Sequence, residues 1–143
     1  MGALQELVAG LRGALRTEHG VRLAVLYGSL ARGDEDAGSD VDLLISLADD
    51  RPSAGLELAI RLQPVTGRPV DIAHLERVEA NAPLLLDRVL DEGCVLVDRD
   101  GQWRLLRERH PAIRARARHD HRRQMAGAAR AIEELTLAER SVP

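Results

Sequence analysis

Two carboxylates that could hold a metal ion stand two residues apart, where a strand is predicted to begin. Asp40 and Asp42 come directly before the apolar residues 43–45. Residues two apart on a strand point to the same face, so the two side chains converge. Like charges held together repel each other, and a divalent cation between them removes that cost. Mg²⁺ suits such a pair because it binds one or two carboxylates together with substrate phosphates.

A Gly-Ser pair precedes the two aspartates by about ten residues. Gly28 and Ser29 follow the apolar segment 21–27, and a glycine at the end of a strand lets a ligand approach the backbone closely. A short helix is predicted from this turn to about Arg32, with its N-terminal N–H groups facing phosphates. Ser29 taken alone would be a helix cap, but its place before the two aspartates favours a phosphate site.

Arg32 and Ser39 extend this candidate nucleotide site. Arg32 lies one helical turn after Gly28 and could neutralise the β- or γ-phosphate of a nucleotide. The alternative is a surface arginine paired with Asp34 or Asp36, and the sequence alone favours neither. Ser39 directly precedes the aspartate pair, so we expect it to cap or brace the loop there.

The string GSLARGDEDAGSDVDLLI, residues 28–45, resembles the nucleotidyltransferase signature of the DNA polymerase β superfamily. In its full length it is similar to the minimal nucleotidyltransferases, which include the MntA-type antitoxins paired with HEPN toxins. The positions that match the pattern are Gly28, Ser29, Arg32, Gly33, Ser39, Asp40 and Asp42. The resemblance covers roughly residues 20–100 and implies the polymerase β-like nucleotidyltransferase fold.

The resemblance also implies a role for each site residue. Asp40 and Asp42 would hold two Mg²⁺ ions, and the nucleotide would be bound by Gly28, Ser29, Arg32 and Ser39. Asp71 interrupts the strand-like run 69–73. In the family a third acid on such a strand binds the catalytic metal and helps to deprotonate the attacking hydroxyl. Without the resemblance, an isolated strand aspartate would be assigned to an edge or a surface.

Likeness to the MntA-type antitoxins implies transfer of AMP from ATP to a protein hydroxyl on a HEPN ribonuclease toxin. The expected partners are therefore an NTP substrate and a HEPN toxin, with a hetero-oligomer between antitoxin and toxin. Two alternatives remain open at this point. One is a small-molecule nucleotidyltransferase of the aminoglycoside type, and the other is a non-catalytic antitoxin that acts by binding alone.

The composition narrows the class of protein. The chain has 143 residues, 45% of them hydrophobic and 30% charged, which fits one domain with a core of its own. A net charge of −3 and two aromatic residues argue against a general nucleic-acid binder. Cys94 is the only cysteine, so an intrachain disulfide is excluded. Neither a signal peptide nor a membrane span is recognised, so we expect a cytoplasmic protein.

Helices and strands are predicted to alternate through residue 100, in an α/β (α+β) fold with a small mixed sheet flanked by helices. The strands are predicted at 21–27, 40–47, 70–73 and 94–97, with an acidic loop at 33–38. Helices are predicted at 4–15, at 54–62, at 75–90 with an interruption or restart at Pro83, and from 103 to 140 with a break or kink near Pro111.

We expect residues 1–100 to form the nucleotidyltransferase domain and residues 101–143 to form a C-terminal helical extension. The extension is rich in arginine between Arg104 and Arg123. A run of charge is usually a solvated face, but here it is also a candidate surface for docking an acidic partner or RNA.

Overall fold

The computed structural model describes residues 2–34 and 38–141. The four strands are β1 (Val21–Tyr27), β2 (Val41–Leu47), β3 (Val70–His74) and β4 (Cys94–Asp98). The six helices are α1 (Ala3–Thr17), α2 (Ala54–Thr66), α3 (Leu75–Asn81), α4 (Pro83–Glu92), α5 (Gln102–Glu108) and α6 (His110–Arg140). The predicted alternation of helix and strand is confirmed.

The four strands form one mixed sheet in the order β3-β2-β1-β4. Strand β1 lies in the centre and pairs antiparallel with both β2 and β4, whereas β2 and β3 run parallel. The C-terminal end of β1 therefore lies at the same edge of the sheet as the N-terminal ends of the other three strands. The predicted α/β (α+β) class with a small mixed sheet is confirmed.

Each face of the sheet is covered by its own helices, because alternate strand residues point to opposite faces. On one face, Leu11 and Leu15 of α1 and Leu58 and Leu62 of α2 pack against inward residues such as Leu43. On the other face, helices α3 to α5 pack against residues from the two central strands. The members of that second core include Leu23, Val25, Leu44, Leu75, Val89, Trp103 and Leu106.

Three of the predicted elements differ in the structure. The predicted short helix from Gly28–Ser29 to Arg32 is wrong: the chain makes only a turn, in which the Arg32 N–H donates to the Gly28 carbonyl at 3.2 Å. Helix α2 runs on to Thr66, because Pro64 falls in its last turn and removes few hydrogen bonds there. The break or kink expected near Pro111 is a break, and it lies at Arg109, with Pro111 in the first turn of α6.

The remaining predictions fall near the observed bounds or outside the described chain. Strand β1 has the predicted bounds, and β2 begins at Val41, one residue after the predicted start. Residues 35–37 of the predicted acidic loop, including Asp36, lie outside the described residues. None of the helices in the described ranges has both the length and the apolarity that a membrane span requires.

Candidate active site

A row of three side chains crosses the edge of the sheet where β1 ends. In the strand register Asp42 pairs with Tyr27 on one side and with Asp71 on the other. Residues paired across neighbouring strands point to the same face. The parity of the strands places this row on the face that α3 and α4 cover, one step beyond Val25 and Leu44. The structure thus brings together two of the predicted acids, Asp42 and Asp71.

Gly28 makes room for the Asp42 carboxylate. Its φ of +79° lies in the left-handed region that favours glycine. A side chain at this position would also collide with the Asp42 carboxylate, since a Cβ built on Gly28 meets Oδ2 of Asp42 first. The absence of a side chain at Gly28 therefore lets the Asp42 carboxylate lie directly against the backbone of the Gly-Ser turn.

The surroundings of Asp42 disfavour its charge. Partial burial raises its pKa above the ordinary value, and the charges of Asp71 and Asp40 raise it further, while Arg32 opposes them. Asp40 lies just before β2 and is exposed, as is Asp71 on β3. Asp71 and Asp40 are thus both close enough to Asp42 to disfavour its ionised form.

Arg32 lies near Asp42 and also forms ion pairs with two other residues. Its guanidinium forms an ion pair with Glu92 at 2.9 Å and a longer one with Asp34 at 3.6 Å. The surface pairing with Asp34 is therefore present, and the structure adds Glu92, the last residue of α4. Arg32 remains about half exposed and its charge lowers the pKa of Asp42. It can exchange a carboxylate partner for a phosphate because both offer oxygen acceptors to the guanidinium.

Ser29 and Ser39 flank the carboxylates on the two connecting segments. Ser29 is half-buried in the turn, and its carbonyl accepts a hydrogen bond from the Asp34 N–H at 3.0 Å. The carbonyl of Ser39 accepts a hydrogen bond from Nη1 of Arg68 at 3.1 Å. Arg68 thereby ties the segment before Asp40 to the α2–β3 connection through the backbone carbonyl of Ser39.

Tyr27 was not predicted as a site residue. Burial raises the pKa of its hydroxyl, and the neighbouring charges of Asp42 and Asp71 raise it further. Its place beside the acids follows from the β1–β2 register. That register depends on the connection 28–40, which is too long for hairpin turn rules to fix. The sequence feature that could have indicated Tyr27 as a site residue is its position directly before the Gly-Ser turn.

A second acidic cluster lies between α4 and α6. Asp87, Asp91 and His110 form the only group of three His, Cys, Asp or Glu residues in the described ranges whose ligand atoms lie within 4.8 Å of one another. Arg114 donates hydrogen bonds to both carboxylates, and Nε2 of His110 lies 2.8 Å from Oδ1 of Asp87. The arginine balances the carboxylate charge, so this cluster fastens the two helices together.

The residues at the sheet edge fit a divalent cation. Three carboxylates from neighbouring strand ends supply the oxygen ligands that Mg²⁺ prefers. Asp42 carries a cost of ionisation that a cation would remove. The ligand atoms of these three carboxylates do not all lie within 4.8 Å of one another, unlike those of the α4–α6 cluster.

This fold and edge define a nucleotidyltransferase of the polymerase β class. The family model for polymerase beta nucleotidyltransferases matches residues 11–102. A curated relative from Methanocaldococcus jannaschii, named a protein adenylyltransferase, is 34% identical over 76 residues, which are 52% of this chain and 78% of the relative. The chain belongs to the polymerase beta nucleotidyltransferase family.

Solved structures share the fold at low sequence identity. A chain from a toxin–antitoxin structure with AMP-PNP matches with a TM-score of 0.69 and 20% identity, over 85% of this chain and 98% of that one. A chain from the tri-AMPylated Shewanella oneidensis HEPN toxin in complex with MNT antitoxin matches with a TM-score of 0.65 and 19% identity, over 88% and 98%. The predicted polymerase β-like fold is confirmed.

Proposed function

We propose that this protein is a Mg²⁺-dependent protein adenylyltransferase that transfers AMP from ATP to a hydroxyl of another protein. The observation that carries the proposal is the row at the sheet edge, in which Asp42 lies beside Asp71 and against the Gly28 backbone of the Gly-Ser turn. The choice of a protein acceptor rests on the Methanocaldococcus jannaschii relative.

Each residue of the site has a separate role that follows from its position. Asp40 and Asp42 would hold the cation, which when bound neutralises triphosphate charge and makes the acceptor hydroxyl more acidic. Gly28 and Ser29 orient the phosphates at the turn. Arg32 binds the outer phosphates by releasing Glu92 or Asp34. Much of the catalysis would come from orientation and from charges placed in advance.

Asp71 would act on the acceptor side of the reaction. It is exposed and paired with Asp42 in register, so an incoming hydroxyl can reach it. The acceptor oxygen forms a bond to the α-phosphorus, and the bond from that phosphorus to the oxygen bridging to the β-phosphate breaks. The hydroxyl proton passes to Asp71 and pyrophosphate leaves.

The acceptor that we propose is a HEPN toxin, which this protein would silence as its antitoxin. Several of the solved structures with this fold are toxin–antitoxin complexes, and one contains a HEPN toxin that carries AMP. Much of the arginine on the C-terminal helices has partners within this chain, because Arg109 pairs with Glu79 and Arg116 bonds the carbonyls of Glu79 and Ala80. Arg107 and Arg118, which line a groove beside His110, remain for a partner.

The test is transfer of label from ATP to a HEPN toxin, and a HEPN protein from a reading frame adjacent to this gene is the first choice of acceptor. Purified protein is mixed with that HEPN protein and with ATP labelled at either the α- or the γ-phosphate. We expect the HEPN protein to gain label from α-labelled ATP only, with Mg²⁺ present. Chelation of the metal should abolish the transfer.

The alternatives give different results in the same assay. Label on an added aminoglycoside but not on protein would assign a small-molecule transferase. Inhibition of the toxin with no label transferred would assign an antitoxin that acts by binding alone. Label from the γ-phosphate would mean phosphoryl transfer and would contradict the proposal.

A further inference from the structure

The C-terminal half of α6 has no partner within the described chain. Ala117 is the last buried residue of the helix, and none of residues 118–141 is buried. Beyond Arg116, the hydrogen bonds of its described side chains stay within the helix, as between Thr136 and the Ile132 carbonyl. This free half spans about 35 Å at 1.5 Å per residue. An isolated helix of this length is marginal in water, so contact with another surface would stabilise it.

An apolar stripe runs along this free half. Met125, Ala128, Ile132 and Leu135 follow one another at spacings of three and four residues, which keeps them on one face. The large members are exposed, Ile132 by 64% and Leu135 by 66%. Leu135 lies eighteen residues, or five turns, after Ala117. The stripe therefore continues the face of α6 that packs on α4.

The charge of the free half changes sign along its length. Residues 118–130 contain four arginines and one aspartate, whereas residues 131–140 contain three glutamates and one arginine. In the described part of the chain none of these side chains forms an ion pair. The unpaired residues are Arg118, Asp120, Arg122, Arg123, Arg130, Glu133, Glu134, Glu139 and Arg140.

We infer that the free half of α6 pairs in antiparallel orientation with the same segment of a second copy of this chain. The antiparallel arrangement joins stripe to stripe and sets the basic part of each helix beside the acidic part of the other. Arg122 and Glu133 are eleven residues, or three turns, apart on one flank of the stripe. Helices that cross near Ala128 bring Arg122 of one copy beside Glu133 of the other, twice by symmetry. A parallel pair would instead oppose arginine to arginine.

The direct test is the mass of the purified full-length protein by sedimentation equilibrium. We expect a dimer at a chain concentration of about 100 μM, and at least tenfold weaker association for Ile132→Glu, a change of about 1.4 kcal/mol. Leu137→Glu is the matched control, because Leu137 is similarly exposed, by 54%, but faces away from the stripe. It should leave the dimer intact.

Charge reversal tests the orientation. Arg122→Glu should weaken the dimer, and adding Glu133→Arg to it should restore association. Thermal melting of each variant checks that the sheet domain stays folded. A monomeric wild-type protein, equal loss of dimer in the Leu137→Glu control, or a stronger dimer in Arg122→Glu would each overturn the inference.

Discussion

Asp42 is the residue on which the site depends. It is paired in register with a second acid, faces a glycine turn, and carries a pKa raised by burial and by Asp71 and Asp40. Ionised Asp42 therefore works against the stability of the protein without metal, and a cation would relieve this. Its neighbour Asp40 was predicted from residue type and spacing, whereas Asp71 was predicted from the resemblance to the nucleotidyltransferase family. Tyr27 was not, because its place opposite Asp42 depends on a register that the sequence does not fix.

Asp71→Asn should separate nucleotide binding from transfer. The variant keeps the two aspartates that we assign to the metal, so stabilisation by Mg²⁺-ATP in a thermal melt should match wild type. The transfer rate should fall about a hundredfold or more, because the proton acceptor is lost. Asp50→Asn, an exposed aspartate after β2 that makes no ion pair in the described chain, is the control. Wild-type transfer by Asp71→Asn would make Asp71 an ordinary strand residue.

At the scale of the elements, strands bounded by glycine were predicted well and helix ends less so. Strand β1 ends where Gly28 turns the chain, and the observed bounds match the predicted ones. Helix α2 passes Pro64 and ends at Gly67, whose φ of +65° closes it. The Gly-Ser turn is not a helix, because it is held by a mixture of hydrogen bonds to the carbonyls of residues 28, 29 and 30. The end of α2 and the conformation of this turn depend on tertiary packing, so the local sequence alone does not determine them.

The stabilisation that the α4–α6 contact provides should depend on pH through the ionisation of Asp87. Burial raises the pKa of this carboxyl, but hydrogen bonds from His110 and Arg114 outweigh burial and hold the pKa below its ordinary value. A lowered pKa means that the stabilisation is present above about pH 4, near the unfolded value, and is lost as pH falls through the folded pKa.

Asp87→Asn should therefore destabilise the protein by about 1.5–3 kcal/mol at pH 7, the range for a hydrogen bond to a charged group. The difference from wild type should shrink below pH 4. Urea melts at several pH values measure this. Asp120→Asn, on α6 but without an ion pair in the described ranges, is the control. A difference that does not change between pH 7 and pH 3 would contradict the assignment.

At the scale of the whole molecule, α6 reaches past the sheet domain on the side of the site. Along α6, His110 contacts Asp87 of α4, and Arg114, one turn later, contacts Asp91. The next residue of α4, Glu92, forms the ion pair with Arg32 at the edge of the sheet. We propose the basic groove of Arg107 and Arg118 as the surface that meets the acceptor protein. Arg114 and Arg116 are occupied by α3 and α4 and serve the fold.

Arg118→Glu should slow association with the HEPN protein without changing ATP binding, because exposed charge steers encounter. The effect should weaken as salt rises, since charges are screened over about 8–10 Å at physiological ionic strength. Stopped-flow association at two salt concentrations measures it. Arg77→Glu, an equal reversal at an exposed arginine of α3, is the control. Equal association rates for the two variants at low salt would place the docking surface elsewhere.

The central claim is that Asp40 and Asp42 hold the cation that binds ATP at the sheet edge. The most direct test is the thermal melt of wild type and of the Asp40→Asn, Asp42→Asn double variant, each with and without Mg²⁺-ATP. Ligand at a hundredfold excess over its Kd stabilises a protein by about 2.7 kcal/mol, so the wild-type Tm should rise by several degrees. The double variant should melt without ligand at or above the wild-type Tm, because charge repulsion is removed, and Mg²⁺-ATP should not shift it. Equal shifts in both proteins would contradict the account.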